Sequence, residues 1–245
     1  VGSADASEEI QRNAKQMLDR MEQCGLRRCP DGANADNLLF SRSRSSWIEV
    51  SRGWLTDPTR AGALLLSSMA ADSQPLTQLV LGRTVTDTIR ATTRSNEYLG
   101  QLLRFALAKK PPIGFVRDFV IEHSGENRGG LDLKQGGLRP ISSLARWLAM
   151  AQGDVRGGTI ERLKRAASGG ILKEDEADIL VNVFKDIYQL VFDQEIGAIR
   201  SGKEGSSWIS PQQLDSLTRR HLRESFRAVA SIQASFEYQW ESRLS

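Results

Sequence analysis

Apolar positions in this chain recur mostly at three- and four-residue intervals, so the pattern predicts helices before anything else. Ile10, Ala14, Met17, Leu18 and Met21 share one face of a first helix. It should stop at Gly25, which can take the left-handed conformation that closes a helix. Residues 27–46 are rich in Gly, Asn, Asp, Ser and Arg and read as loop. Trp47-Ile48-Glu49-Val50 fits a short strand or the start of a helix, and Leu64-Leu65-Leu66 fits a buried strand or a buried helical segment. Asp57-Pro58 between them marks a turn. From Leu76 a weak helical pattern strengthens at Tyr98, Leu99, Leu102, Leu103, Ala106 and Leu107 and is broken by Pro111-Pro112. Phe115 to Ile121 alternates poorly.

Beyond a glycine-rich stretch, Ser124 to Gly137, the pattern is helical throughout. Ile141, Leu144, Ala145, Leu148 and Ala149 form one stripe. Thr159 is placed to cap a short helix carrying Ile160, Leu163 and Ala167, ended by Gly169-Gly170. Leu180, Val183, Phe184, Ile187 and Val191 form the next stripe. Ser210-Pro211-Gln212-Gln213 has the form of a capping box and should open a long helix with Leu214, Leu217, Leu222, Phe226, Val229, Phe236 and Trp240 inward. Long amphipathic helices with short connections predict an up-and-down helical bundle. No internal repeat at a solenoid period is present. The fold class expected is mainly α: an α+β portion followed by the bundle.

Composition narrows the function. The 245 residues suffice for one large or two modest domains, and 40% hydrophobic content supports a core. A net charge of +3 is mildly basic, short of what a nucleic-acid binder usually concentrates on one face. No apolar run approaches the roughly 20 residues that span a bilayer. Val1-Gly2-Ser3-Ala4-Asp5 lacks the basic and apolar regions of a signal peptide, so a cytoplasmic protein is expected. Cys24, Cys29, His123 and His221 come from three distant segments and make a poor zinc set. Two ordinary thiols and no resident metal are the expectation.

The segment Leu131 to Ile141 is the richest in candidate chemistry. It sets Asp132, Lys134 and Arg139 on a glycine-rich loop before a helix, where backbone N–H groups and two cations could meet an anion. The competing reading is that these residues merely orient the loop. Arg219, Arg223 and Arg227 share a helical face that could hold phosphate or an acidic partner, but a solvated face with Glu224 nearby is the favoured reading. Gln233 falls in the apolar seam, as a buried polar contact or a ligand contact. Glu122-His123 suggests acid–base chemistry, but adjacent residues in an extended chain point apart. Neither a nucleophile elbow nor a dinucleotide or Walker fingerprint occurs.

Several of these segments, in this order, carry a resemblance. They are Pro111-Pro112-Ile113-Gly114-Phe115, Asp132-Leu133-Lys134, Gly137-Leu138-Arg139-Pro140-Ile141, Leu144-Ala145-Arg146, Thr159-Ile160-Glu161-Arg162-Leu163 and Leu217 to Arg223. Together they are similar to the substrate-binding domain of the bacterial nucleotidyltransferases that accompany CBS-pair and cyclic-nucleotide-binding domains. Those enzymes are relatives of the uridylyltransferase that modifies the PII nitrogen-signalling protein. Upstream, Cys29-Pro30-Asp31-Gly32, Trp47, Trp54-Leu55 and Ser68 to Leu76 resemble the later part of the family's catalytic domain.

The resemblance implies residues 1–100 as the end of a nucleotidyltransferase-like domain and 101–245 as a helical substrate-binding domain. It implies transfer of a nucleotidyl group from a nucleoside triphosphate, with Mg2+, to a protein or small-molecule acceptor, in signal transduction. CBS or cyclic-nucleotide-binding domains are the expected neighbours, and nucleic acid is not an expected partner. Asp72 is the candidate catalytic residue; Asp132, Lys134, Arg139 and Arg146 are the candidate substrate-binding residues. The chain departs from the family at its metal motif. Gly2-Ser3 is a Gly-Ser pair, but no Asp-x-Asp follows, and Asn34-Ala35-Asp36-Asn37 is its nearest echo. Either the chain starts after that motif, which its abrupt charged opening favours, or the domain lacks it and is a non-catalytic regulatory module. No metal or nucleotide is therefore expected on this chain alone.

Overall fold

The computed structural model describes residues 4–29, 32–75, 79–92, 94–114 and 119–244. Gly2 and Ser3, Pro30 and Asp31, Leu76 and Phe115 lie outside them. The fold is mainly α, as expected. Among the described residues ten α-helices run in order: α1 (Ala4–Gln23), α2 (Arg44–Thr56), α3 (Ala63–Asp72), α4 (Leu79–Gly82), α5 (Thr84–Ala91), α6 (Asn96–Leu107), α7 (Arg139–Gln152), α8 (Thr159–Ser168), α9 (Glu174–Arg200) and α10 (Ser216–Leu244). Strands β1 (Leu131–Asp132) and β2 (Trp208–Ile209) pair antiparallel, Leu131 opposite Ile209.

Both ambiguous apolar runs resolve as helix: Trp47–Val50 lies in α2 and Leu64–Leu66 in α3. The expected α+β portion is thus helical among the described residues, and both named strands fall in the later half. Ser43 caps α2 and Ser95 caps α6, each accepting a backbone N–H three residues on. Gly25 closes the first helix at φ +86°, the left-handed geometry its position called for. Two starts differ from the sequence reading. At α8 the cap position is Gly158, whose N–H is taken by the Glu161 carboxylate, and Thr159 is the first helical residue. At α10 the Ser210 hydroxyl turns to Gln212, Pro211–Gln213 forms only a single tight turn, and the chain extends again at Leu214. Asp215 is the true cap, accepting N–H groups of Leu217 and Thr218 and the Thr218 hydroxyl. Leu217, expected inward, therefore sits in the first turn, 75% exposed.

Consecutive helices from α6 to α9 pack on one another, and α10 returns against α9 and α6. Leu144, Leu148, Val183, Ile187, Phe226 and Val229 are buried together, with Phe184 half-buried against them. The same core continues through Tyr98, Leu102 and Ile89 to Leu55 and Trp54. Aromatic rings meet edge-to-face at its centre: Phe119 on Phe226 at 5.9 Å and Trp147 on Trp240 at 5.1 Å between centroids. Gln233 is a buried polar contact, its amide donating to the Lys109 carbonyl at 3.1 Å.

Phe226 is fully enclosed by α9, Phe119 and Gly137. Phe226→Ala should lower unfolding free energy by about 3–5 kcal/mol, measured by urea denaturation. A loss below about 1 kcal/mol would show that this ring is not part of the packed core.

Candidate functional site

Asp72 ends α3, Arg146 lies in the middle of α7, and Arg162 sits in the first turn of α8. The three meet. Arg146 donates to Asp72 Oδ2 through Nε at 3.0 Å and Nη2 at 2.5 Å. Arg162 Nη1 donates to Asp72 Oδ1. Arg162 Nη2 also donates to the carbonyls of Ala71 (2.8 Å) and Val155 (2.6 Å), and Nε to Val155 at 3.2 Å. The Arg162 side chain is 5% exposed, so its charge is tolerated only because every side of the guanidinium finds an acceptor. Burial of Asp72 works to raise its pKa, but the hydrogen bonds and charges of Arg146 and Arg162 outweigh it and hold the carboxyl below its ordinary value. A carboxylate so placed, both oxygens occupied, is a poor proton acceptor and a strong anchor for two arginines.

Arg162 thereby joins the two walls of a cleft of about 590 Å³. Ala71 with Ser73, Gln74 and Pro75 forms one wall and residues 155–157 the other; Arg83 and Arg90 close it from the side of α5. Behind the second wall, Asp154 accepts from Arg156 Nε at 2.8 Å and pairs with Arg165, and these contacts hold its carboxyl well below the usual range.

Sequence reasoning placed Asp72 and Arg146 among its candidates, and the structure brings them together. It missed Arg162, which lay within the resembling segment Thr159-Ile160-Glu161-Arg162-Leu163. The available signal was register: Arg162, Leu163 and Ala166 lie on the buried face of α8, and a cation on such a face needs a fixed anion.

The other three candidates lie elsewhere. Asp132 Oδ1 accepts the backbone N–H groups of Lys134 (2.9 Å) and Gln135 (3.1 Å) and the Ser207 hydroxyl. It folds the turn onto the β2 connection rather than holding the Lys134 or Arg139 side chain. Lys134 Nζ stands 3.8 Å from Glu195 on α9, and Arg139 donates to Gln135 at 2.8 Å. None of the three lines the cleft. The glycines serve packing: a Cβ on Gly136 would come within 2.6 Å of the Pro112 ring, and one on Gly137 within 2.9 Å of Ile187. A single π-helical turn, Lys134–Leu138, leads straight into α7, so the helix start presents no free row of N–H groups.

The nearest echo of the metal motif is also a structural device. Asn34 exchanges two hydrogen bonds with the Cys29 backbone, and Asp36 pairs with Arg28, which also binds Asp19 and Glu22. Glu122 caps a turn by accepting from Ser124 and the His123 N–H, and His221 Nε2 pairs with Asp186 at 2.9 Å. Both cysteines are free thiols. Among the described residues, no group of three or more His, Cys, Asp or Glu side chains is arranged to hold a metal. No helix is long and apolar enough to cross a membrane.

The family described as "Putative nucleotidyltransferase substrate binding domain" matches residues 96–240, more than half of the chain, and the chain belongs to it. The family described as "Putative nucleotidyltransferase DUF294" matches residues 2–61. No curated protein and no solved structure matches the chain.

Two outcomes test this geometry. Arg162→Ala should destabilise the fold by about 1–3 kcal/mol, because it leaves the Ala71 and Val155 carbonyls without their donor while Asp72 keeps Arg146. A urea midpoint equal to wild type would refute the junction. The second concerns acid. The pKa of Asp72 is depressed on folding, so its contribution is complete above the unfolded value of 3.8 and is lost as pH falls through the lower folded value. The stability gap between wild type and Asp72→Asn should therefore be constant near neutrality and shrink below about pH 4. A pH-independent gap would mean that the carboxylate does not hold its charge for these arginines.

Proposed function

We propose that this chain is the acceptor-presenting portion of a nucleotidyltransferase. Residues 1–100 form the end of the catalytic domain and residues 101–245 the helical domain that closes over it. The reaction is transfer of a nucleotidyl group from a nucleoside triphosphate to a protein or small-molecule acceptor in a signalling pathway. The observation that carries this reading is the cleft between residues 71–75 and 155–157, where the two segments are tied through Asp72, Arg146 and Arg162. Supporting it are the family matches to residues 2–61 and 96–240.

In this reading Asp72 is a positioning residue. It fixes the partly buried Arg146 at the junction beside the cleft, where its guanidinium is held ready for a phosphate or an acidic acceptor. Lys134 and Arg139 form a second, outlying contact for the acceptor, steadied by the turn that Asp132 caps. The reaction's Mg2+ belongs to the whole enzyme. The described residues do not fit it, since Asp72 has both oxygens on arginines and no second carboxylate joins it.

The test is incubation of the intact protein carrying this chain with labelled nucleoside triphosphates, Mg2+ and cell extract. Label should move to an acceptor, Arg146→Ala should lower kcat/KM, and the chain by itself should transfer none. Absence of label with every nucleotide, from an intact protein that carries the metal motif, would overturn the reading in favour of a regulatory module that binds without catalysis.

A further inference from the structure

A second charged surface lies beside the cleft and takes no part in the junction described above. Helices α2 and α5 pack side by side. On α2, Arg44 and Arg52 lie eight residues apart on either side of Ile48, about two helical turns or 12 Å along the axis. On the facing edge, Arg83 precedes α5, and Asp87 and Arg90 follow at helical spacing. Between the helices runs a shallow groove of about 420 Å³ lined by Arg44, Arg52, Arg83 and Asp87. Arg83 and Asp87 also line the 590 Å³ cleft, together with Arg90 and Arg156. The two hollows therefore meet at Arg83 and Asp87, which line both.

The charge along this track is only partly compensated. Five arginines face one carboxylate, and that carboxylate already pairs with Arg90 at 3.3 Å. Arg156 is held by Asp154. Arg44, Arg52 and Arg83 are exposed and have no hydrogen-bonded or ion-paired side-chain partner among the described residues. Arginine stays charged at any physiological pH, so cations gathered on facing helices repel one another until an anion lies between them. Apart from Asp87, the neighbouring groove-lining groups on both helices, Thr84, Thr88, Ile48, Val80 and Ala91, bring no further charge.

We infer that this groove binds a chain of linked phosphates, two or three units long, running from Arg44 and Arg52 past Arg83 toward the cleft. A single phosphate would engage one end of a track about 12 Å long and leave the remaining arginines unpaired. Guanidinium forks suit phosphate oxygens, and an extended row of them suits several in succession. The chemistry has two sources, the tail of a nucleoside triphosphate and free inorganic polyphosphate. The inference rests on the groove alone and not on the transfer reaction.

Isothermal titration of the whole chain without added metal, with ATP and separately with tripolyphosphate, tests it by binding only. A failure to detect nucleotidyl transfer thus leaves it standing. At least one of the two should bind saturably, with an affinity that falls as salt is raised. Saturable binding of ATP alone assigns the nucleotide as the source, and binding of both assigns the phosphate chain itself. The double variant R52A/R83A should bind about a hundredfold more weakly, since each of the two lost charge-assisted contacts costs roughly a factor of ten. R52K/R83K should fall between, keeping charge but losing the fork. K185A, on α9, which lines neither hollow, should bind as wild type. Three results overturn the inference: no saturable binding up to about 1 mM, an equal loss in K185A, or an oligonucleotide that binds more tightly than either ligand and loses affinity in the same double variant. The alanine positions are exposed and unpaired, and unchanged thermal unfolding of R52A/R83A separates lost binding from lost fold.

Discussion

The buried guanidinium of Arg162 is the interaction on which the arrangement of the first helices against the bundle depends. It solves a problem at the end of α3. The last carbonyls of a helix lack intrahelical partners, and the helix terminus carries partial negative charge. Placing Asp72 at that terminus adds a full negative charge where the helix least tolerates one. Arg162 answers both, donating to the Ala71 carbonyl and the Asp72 carboxylate at once, while Arg146 donates to the second oxygen. The same guanidinium holds Val155, so the connection between α7 and α8 is fixed to the end of α3 by one side chain. Such a pair adds little net stability over an apolar substitute, but its geometry is restrictive, because only one docking of three helices satisfies every donor.

Two further polar links act in the same place. Tyr98 on α6 is fully buried and donates its hydroxyl to Ser67 on α3 at 2.8 Å. Burial pushes its pKa up to about 12, so the hydroxyl keeps its proton and its donor role throughout the physiological range. Trp147 on α7 donates to the Leu99 carbonyl of α6 at 2.9 Å. Helix α3 is thus hydrogen-bonded to α6, α7 and α8 across an apolar core that continues without a break from Trp54 to Phe236.

Much of this was legible in the sequence, and the reasons for the rest are specific. The stripes on α7, α9 and α10 announced themselves because their apolar residues fall on one face and polar residues on the other. Gly25 and the Gly169-Gly170 pair marked helix ends for the steric reason that glycine alone reaches the left-handed region freely. Arg162 was missed because a charged residue in a short helix reads as solvated, and its partner, Asp72, stands 90 residues away. The Ser210 start failed because tertiary pairing overrode a local signal: β2 commits Trp208 and Ile209 to β1, and the chain must turn once more before Asp215 can cap α10. The glycine-rich loop illustrates a different limit. Glycine density correctly signalled close backbone approach, but nothing local says what approaches. Here it is Pro112 and Ile187 of the same chain.

That distinction bears on how an acceptor would be presented. Segments joined by a flexible linker and a small polar interface move against one another by default. Here, a hinge at the end of α3 would have to withdraw Arg162 from two carbonyls and a carboxylate, leaving a cation 5% exposed without partners. It would also separate Tyr98 from Ser67 inside the core. Each of those losses costs more than a surface contact, because the stranded groups are out of reach of water. The cleft between residues 71–75 and 155–157 is therefore best regarded as preformed. Movement that admits a ligand belongs to elements outside this clamp, and the exposed arginines of α2 and α5, which bond to nothing buried, are free to reorient without disturbing it.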